Sequence, residues 1–66
     1  MARKSHIGAQ EYMGFRMVPT IRHGFYRILI VRMENNAIID AVDDTSLMFG
    51  FILAQRRIRR MALDNP

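Results

Sequence analysis

The sequence predicts a small α+β domain: a β-hairpin of two to three strands, one C-terminal helix and an extended basic N-terminal arm. Residues 25–33 form a β-branched and aromatic run without Gly or Pro, which is the composition of a strand. A second such run at 37–42 follows a polar turn, and apolar residues then recur with helical spacing. We expect residues 1–17 to be the arm and 18–66 the domain.

The length and composition limit the kinds of site to expect. A chain of 66 residues is at most one small domain, near the size at which a single core is barely sufficient. It contains no Cys, which excludes disulfides and thiolate metal sites. Neither His6 nor His23 has a carboxylate at a metal-ligand spacing, so we expect no metal and no cofactor. A partner molecule is the expected source of additional stability.

The charge balance is the strongest compositional signal. Ten Lys and Arg residues face six Asp and Glu, giving a net charge of +4 and a pI near 10.7. Nine of the ten cations are Arg, whose planar fork suits phosphate and stacks on bases. Two interpretations stay open: a solvated basic surface from GC-rich coding, and a polyanion partner such as nucleic acid. No apolar run approaches the about 18 residues of a membrane span.

The predicted arm is basic and lacks an apolar period. Arg3, Lys4 and Arg16 are interspersed with small residues and two aromatic ones. Such a segment fits along an RNA backbone, with charges on phosphates and rings on bases. Because Glu11 is its only acid, a mitochondrial targeting signal is an alternative interpretation.

The segment after the arm reads as two strands joined by a turn. Pro19 restricts its own φ and favours extended backbone in the residue before it, so residues 18–22 predict a short strand. His23 and Gly24 then form a turn, in which His23 is a polar turn residue and not a catalytic one. The middle of the run at 25–33 is apolar on both sides, which predicts a strand covered on both faces.

The next turn and strand complete the hairpin. Asn35 and Asn36 tolerate the left-handed backbone that a tight turn demands, so residues 34–36 predict the turn. Residues 37–42 are the return strand. Its register stays open, because some registers place Asp40 beside apolar residues.

Four short oxygen-bearing residues at 43–46 indicate a helix start. Their side chains can accept hydrogen bonds from free N–H groups, and the carboxylates suit the positive end of the helix dipole. Capping explains Asp43 and Asp44 better than a catalytic pair does. We expect a helix from about Ser46 to about Ala62.

The front of this helix, its N-terminal half, differs in chemistry from the rear, its C-terminal half. One apolar stripe runs along it at helical spacing, comprising Leu47, Phe51, Ala54, Ile58 and Met61. The first half is apolar nearly all round, because it adds Met48, Phe49, Ile52 and Leu53. A two-stranded hairpin is too narrow to cover that surface. We therefore expect contacts with neighbouring proteins through Leu47, Phe49, Phe51 and Ile52.

The rear of the helix carries Arg56, Arg57, Arg59 and Arg60. Four like charges within five residues repel one another. They are tolerated most easily when phosphates neutralise them.

The order of motifs resembles the opening of bacterial-type small-subunit ribosomal protein sixteen, including its mitochondrial versions. The residues that carry the resemblance are Thr20-Ile21-Arg22, His23-Gly24, Phe25-Tyr26-Arg27-Ile28 and, in the next strand, Ile38-Ile39-Asp40. The similarity covers roughly Val18 to Val42. The chain lacks the family's Leu-x-Arg, its Lys/Arg-Pro loop and its Asp-Gly-Arg, as a shortened and divergent member would.

The resemblance implies a structural protein that contacts rRNA in the small ribosomal subunit, without catalysis. By position, Arg22, His23 and Arg27 inherit an RNA-contact role. Together with the electrostatic inference, the expected RNA-binding residues are Arg3, Lys4, Arg16, Arg22, His23, Arg27, Arg56, Arg57, Arg59 and Arg60. The expected location is mitochondrial, with cytoplasmic as the alternative.

Two other functional classes compete with this interpretation. One is an accessory structural subunit of a large respiratory or membrane-associated complex, in which the helix front docks on protein and the arginines face carboxylates or lipid head groups. The other is a small phage or plasmid DNA-binding protein, although no second helix is present for a helix-turn-helix. An enzyme is the least expected class, because the sequence offers no nucleophile–base pair, metal set or phosphate loop.

Overall fold

The computed structural model describes residues 8–64 as one antiparallel sheet followed by one helix. The elements are β1 (Gln10–Tyr12), β2 (Phe15–Arg22), β3 (Phe25–Arg32), β4 (Ala37–Asp44) and α1 (Leu47–Asp64). The strands lie side by side in chain order, with β1 and β4 at the edges. The predicted α+β class is confirmed, with four strands where two to three were expected.

The turns are built on residues with positive φ. Gly24 has φ 84° in the β2–β3 turn and Asn36 has φ 59° in the β3–β4 turn, as the sequence predicts. The β1–β2 turn uses Met13 at φ 51° and Gly14 at φ 84°. Positive φ at both central residues suits a two-residue hairpin. Methionine is an unusual choice there, which is why this turn gives a weak sequence signal.

The described part of the predicted arm belongs to the sheet. β1 covers residues 10–12, and β2 begins at Phe15, so the expected boundary after residue 17 falls inside β2. Pairing with β3 along its whole length extends β2, and Met17 at 0% exposure anchors it in the core. Because Met17 is the one buried side chain of β2, the strand shows no apolar alternation, and the sequence does not predict a strand at residues 15–17. Arg3 and Lys4 lie outside the described residues.

A β-bulge sets the register of β4. Ile30 pairs with Asp40, whereas the next residue of β3, Val31, pairs with Ile38. Ile39 is therefore the extra residue of the bulge, and it packs against the core. This resolves the register that the sequence leaves open.

The core lies between α1 and one face of the sheet. Its buried side chains are Met17, Ile28, Ile30, Val42, Phe51, Ala54 and Ile58. Gly50 brings the helix close to β3, because a Cβ atom at this position would lie 3.1 Å from Cγ1 of Ile28. The absence of a side chain at Gly50, the fourth residue of the helix, therefore favours the close approach of α1 to β3.

The opposite face of β3 is turned away from α1. Leu29 and Val31 alternate with the core residues Ile28 and Ile30 and so point away from α1. The sequence predicts a strand covered on both faces; α1 covers one, and on the other face Val31 is only 9% exposed while Leu29 is half-buried.

Asp44 and Ser46, two of the four residues expected at the helix start, accept hydrogen bonds from backbone N–H groups there. Ser46 Oγ accepts a hydrogen bond from the N–H of Phe49 at 3.3 Å, and Asp44 Oδ1 accepts one from the N–H of Ser46 at 2.8 Å. Asp43 instead binds Arg27 on β3. Capping by a serine side chain explains why the helix starts at Leu47.

We expect Phe51→Ala to lower the free energy of unfolding by about 3–5 kcal/mol, because it empties a core position. That loss is comparable with the roughly 3–10 kcal/mol total stability of a domain this size. Phe49→Ala is the matched control, since Phe49 is 54% exposed and Phe51 only 8%. Urea denaturation followed by circular dichroism measures both. Equal losses in the two variants would contradict the packing described here.

Candidate functional site

The last turns of α1 carry four exposed guanidinium groups. We call this the arginine surface: Arg56, Arg57, Arg59 and Arg60. Between residues 45 and 63 the sequence contains no acidic residue, so no carboxylate of this stretch offsets their charge. The cations lie toward the C-terminal end of the helix, where they also suit the negative end of the helix dipole.

Two of these arginines hold the helix to the sheet edges. Arg57 Nη1 donates to Asp40 Oδ2 on edge strand β4, and Asp40 Oδ1 accepts the N–H of Ala41 at 2.8 Å. Arg59 Nη1 donates to the hydroxyl oxygen of Tyr12 on edge strand β1 at 3.2 Å. Arg57 and Arg59 therefore have a positioning role. The sequence pattern did not identify Tyr12 and Asp40 as their partners, because the pairs are 47 and 17 residues apart.

The other two arginines, Arg56 and Arg60, have no ion-pair or hydrogen-bond partner among the described side chains. Both line an open groove of about 350 Å³ between α1 and β4, whose apolar wall includes Leu53 and Val42. Both also line a second groove beside Leu63. Within the arginine surface, these two guanidinium groups are the ones available to an anionic ligand.

Arg16 and Arg27, which the sequence also predicts as RNA contacts, lie on the opposite face and are paired with carboxylates. Arg27 binds Asp43 with two hydrogen bonds, Nε to Oδ1 at 2.8 Å and Nη2 to Oδ2 at 3.0 Å. Its guanidinium carbon also lies 5.7 Å from the centroid of the Phe25 ring. Arg16 lies 3.7 Å from Glu11 on β1. The charge on this face is largely neutralised within the sheet.

The Arg27–Asp43 pair changes the titration of both groups. The hydrogen bond from Arg27 is the main cause that lowers the pKa of Asp43, and the charges of Arg27 and Arg22 lower it further against an opposing desolvation effect. The same pair raises the pKa of Arg27 above its ordinary value. The folded chain is therefore more stable when Asp43 is ionised than when it is protonated.

Arg22 and His23 lie far from the arginine surface. Both are exposed at the β2–β3 turn, the end of the sheet where β4 leads into α1. The helix then runs back toward β1, a rise of about 27 Å over its 18 residues. The predicted RNA-binding residues therefore divide among three places within residues 8–64, and they do not form one surface.

The exposed apolar side of α1 forms a second candidate contact surface. We call it the apolar front: Met48, Phe49, Ile52 and Leu53, with exposed fractions of 65, 54, 41 and 37%. Of the residues predicted to contact neighbouring proteins, Phe49 and Ile52 belong to it. Phe51 is instead a core residue, and Leu47 packs against the core. In a helix half that is apolar nearly all round, sequence spacing does not show which side meets the sheet.

No three His, Asp or Glu side chains within residues 8–64 lie close enough together to hold a metal ion. In the same range, no helix combines the length and the apolar content needed to cross a bilayer.

We expect Asp43→Asn to reduce the dependence of stability on acidic pH. Because the pKa of Asp43 is lower in the folded chain, its ion pair stabilises the fold above about pH 4, and this contribution is lost as pH falls through the lowered folded-state pKa. Urea midpoints of the parent and the variant should therefore differ at pH 7 and converge toward pH 2.

Glu34→Gln is the matched control for this change, since Glu34 is exposed in the β3–β4 turn and has no ion pair among the described side chains. A difference between parent and Asp43→Asn that stays constant from pH 7 to pH 2 would show that the ion pair does not carry the effect.

Comparisons of this chain with protein-family models, with curated proteins and with solved structures give no significant match. The resemblance of residues 18–42 to small-subunit ribosomal protein sixteen therefore stays a prediction that rests on its short motifs.

Proposed function

We propose that this chain is a non-catalytic structural subunit of a ribonucleoprotein that contacts RNA through the arginine surface. The observation that carries the proposal is the pair Arg56 and Arg60, exposed on one helix without a carboxylate partner among the described side chains. Phosphates are the partner that such a cluster suits best, because each guanidinium presents a planar fork of donors.

The geometry around this pair supports binding to a nucleic-acid backbone. Arg56 and Arg60 are four residues apart, which places them on the same side of the helix with Cβ atoms about 6 Å apart. The bonds of Arg57 to β4 and of Arg59 to β1 hold the helix in place. The pair is thus presented on a fixed element, and contacts to phosphates position a protein without reading sequence.

The finer form of the proposal is an rRNA-binding protein of the small subunit of a mitochondrial ribosome. It rests on the resemblance of residues 18–42. Arg22 and His23, which match the family's basic turn, are both exposed and accessible to a second RNA segment. They lie at the other end of the domain from Arg56, so one continuous RNA strand would have to follow the length of α1.

A second candidate function is supported by the apolar front. It is an accessory structural subunit of a large protein complex, without nucleic acid. Four neighbouring apolar side chains exposed by 37–65% form a patch of the kind that marks a protein contact. In this candidate the arginine surface meets carboxylates of the partner or anionic lipid head groups.

We expect the double variant Arg56→Gln/Arg60→Gln to weaken RNA binding and to reduce its salt dependence. Each lost phosphate contact reduces the magnitude of the negative slope of log K against log salt by about 0.7–0.9, so the loss of two contacts reduces it by about 1.4–1.8. Titration of a fluorescent RNA at several NaCl concentrations measures the slope.

The double variant Arg16→Gln/Arg27→Gln is the matched control, because it removes the same charge from the opposite face, where both cations have carboxylate partners. Equal losses in the two double variants would show that overall charge, and not the arginine surface, determines binding.

Sedimentation of native extract with and without RNase separates the two candidates. The ribonucleoprotein proposal expects the chain to sediment with a large particle and to leave that position after RNase treatment. Migration with a protein assembly that RNase leaves intact would contradict the proposal and support the accessory-subunit candidate. Mass spectrometry of peptides from this chain follows it through the gradient.

A further inference from the structure

The side of the sheet turned away from α1, which we call the open face, has an apolar centre. Val18, Leu29 and Ala41 lie directly opposite one another on three neighbouring strands. Val31 and Ile38 form the next apolar pair on β3 and β4. Val31 is only 9% exposed, whereas Ile38 is 63% exposed. The open face therefore presents a band of apolar side chains in which Ile38 is exposed, Val18, Leu29 and Ala41 are half-buried, and Val31 is already buried.

Ion pairs lie on both sides of this apolar band. On one side is the pair of Arg16 with Glu11, and on the other is the two-bonded pair of Arg27 with Asp43. The cations nearest the band are thus compensated within the sheet. A surface of this chemistry is a poor match for a polyanion and a good match for another protein surface with an apolar centre and both signs of charge around it.

We propose that the open face packs against the open face of a second copy of this chain, forming a two-layer β-sandwich dimer with both α1 helices outside. A two-fold dimer uses the same patch on both copies, so the patch must complement itself. An apolar band between two neutral ion pairs meets this condition. The dimer also covers the half-buried Leu29, which completes the cover on both faces of β3 that its composition predicts.

The size of the open face is consistent with a weak specific dimer. Three strands of eight residues measure roughly 26 by 14 Å, a projected area of about 370 Å² per copy. Because side chains make the accessible surface larger than its projection, two copies bury on the order of 1,000 Å², the lower end for specific interfaces. The dimer is therefore expected to depend on concentration.

The apolar front of α1 is a less suitable surface for a second copy. Phe49 and Ile52 share the outward side of the helix with Arg56, and a partner copy packed there would cover that uncompensated guanidinium. On the open face, Arg16 and Arg27 have carboxylate partners, and Arg22 lies at the end of β2, near enough to Asp43 to lower the pKa of that carboxyl. The open face also lies on the opposite side of the sheet from the arginine surface, so the dimer leaves that surface exposed, and this inference does not rest on the proposed function.

Sedimentation equilibrium of the free full-length chain, from micromolar to millimolar concentration, tests the dimer. The average mass is expected to rise from 7.7 kDa toward twice that value. Leu29→Lys should raise the dimer dissociation constant at least about tenfold, because its ammonium group would be enclosed between the two sheets. Ile21→Lys adds the same charge on β2 at a side chain that is 71% exposed and outside the apolar band, and it should leave the constant unchanged.

A second variant is needed if circular dichroism shows that Leu29→Lys is unfolded. Val18→Thr serves this purpose, because threonine keeps the shape and the strand preference of valine. It should also weaken the dimer. A parent chain that stays at 7.7 kDa over the whole range would overturn the proposal. So would a dimer that withstands both band substitutions and dissociates in Phe49→Ser.

Discussion

The packing of α1 on one face of β3 and β4 is the contact on which the other features depend. Phe51, Ala54 and Ile58 meet the sheet at Ile28 and its neighbours, and this contact determines the rotation of the helix about its axis. That rotation places the apolar front and the arginine surface on the outer side. Hydrogen bonds from the last turns of the helix to both edge strands keep it in this orientation.

The two faces of the molecule differ because their cations have different neighbours. On the open face, adjacent strands lie about 4.8 Å apart, so a carboxylate on the next strand is within reach of each arginine that flanks the apolar band. On α1, no acid occurs between residues 45 and 63, and Asp64 follows the arginines at the end of the helix. The sheet supplies Asp40 for Arg57 but no carboxylate for Arg56 and Arg60. The helical face therefore carries two guanidinium groups that have no carboxylate partner among the described side chains.

Contacts with a partner on each side would increase the stability of a domain of this size. Among the described residues, the core cluster between the sheet and α1 comprises seven buried side chains, and such small cores supply little stability on their own. The proposed functions assign RNA or protein to the helical side, and the dimer assigns a second copy to the open face. A dimer that persists on RNA would restrict the ribonucleoprotein proposal to particles that hold this chain in pairs.

The sequence by itself determined the elements that depend on local preferences: β3 from its β-branched run, the turn at Asn36 and the capped start of α1. Only the tertiary structure decided which residues meet. Phe49 and Phe51 are chemically alike and two positions apart, yet contact with the sheet buries one and leaves the other exposed. Arg27 and Asp43 are 16 residues apart, and their pairing follows from strand register, which no local preference encodes.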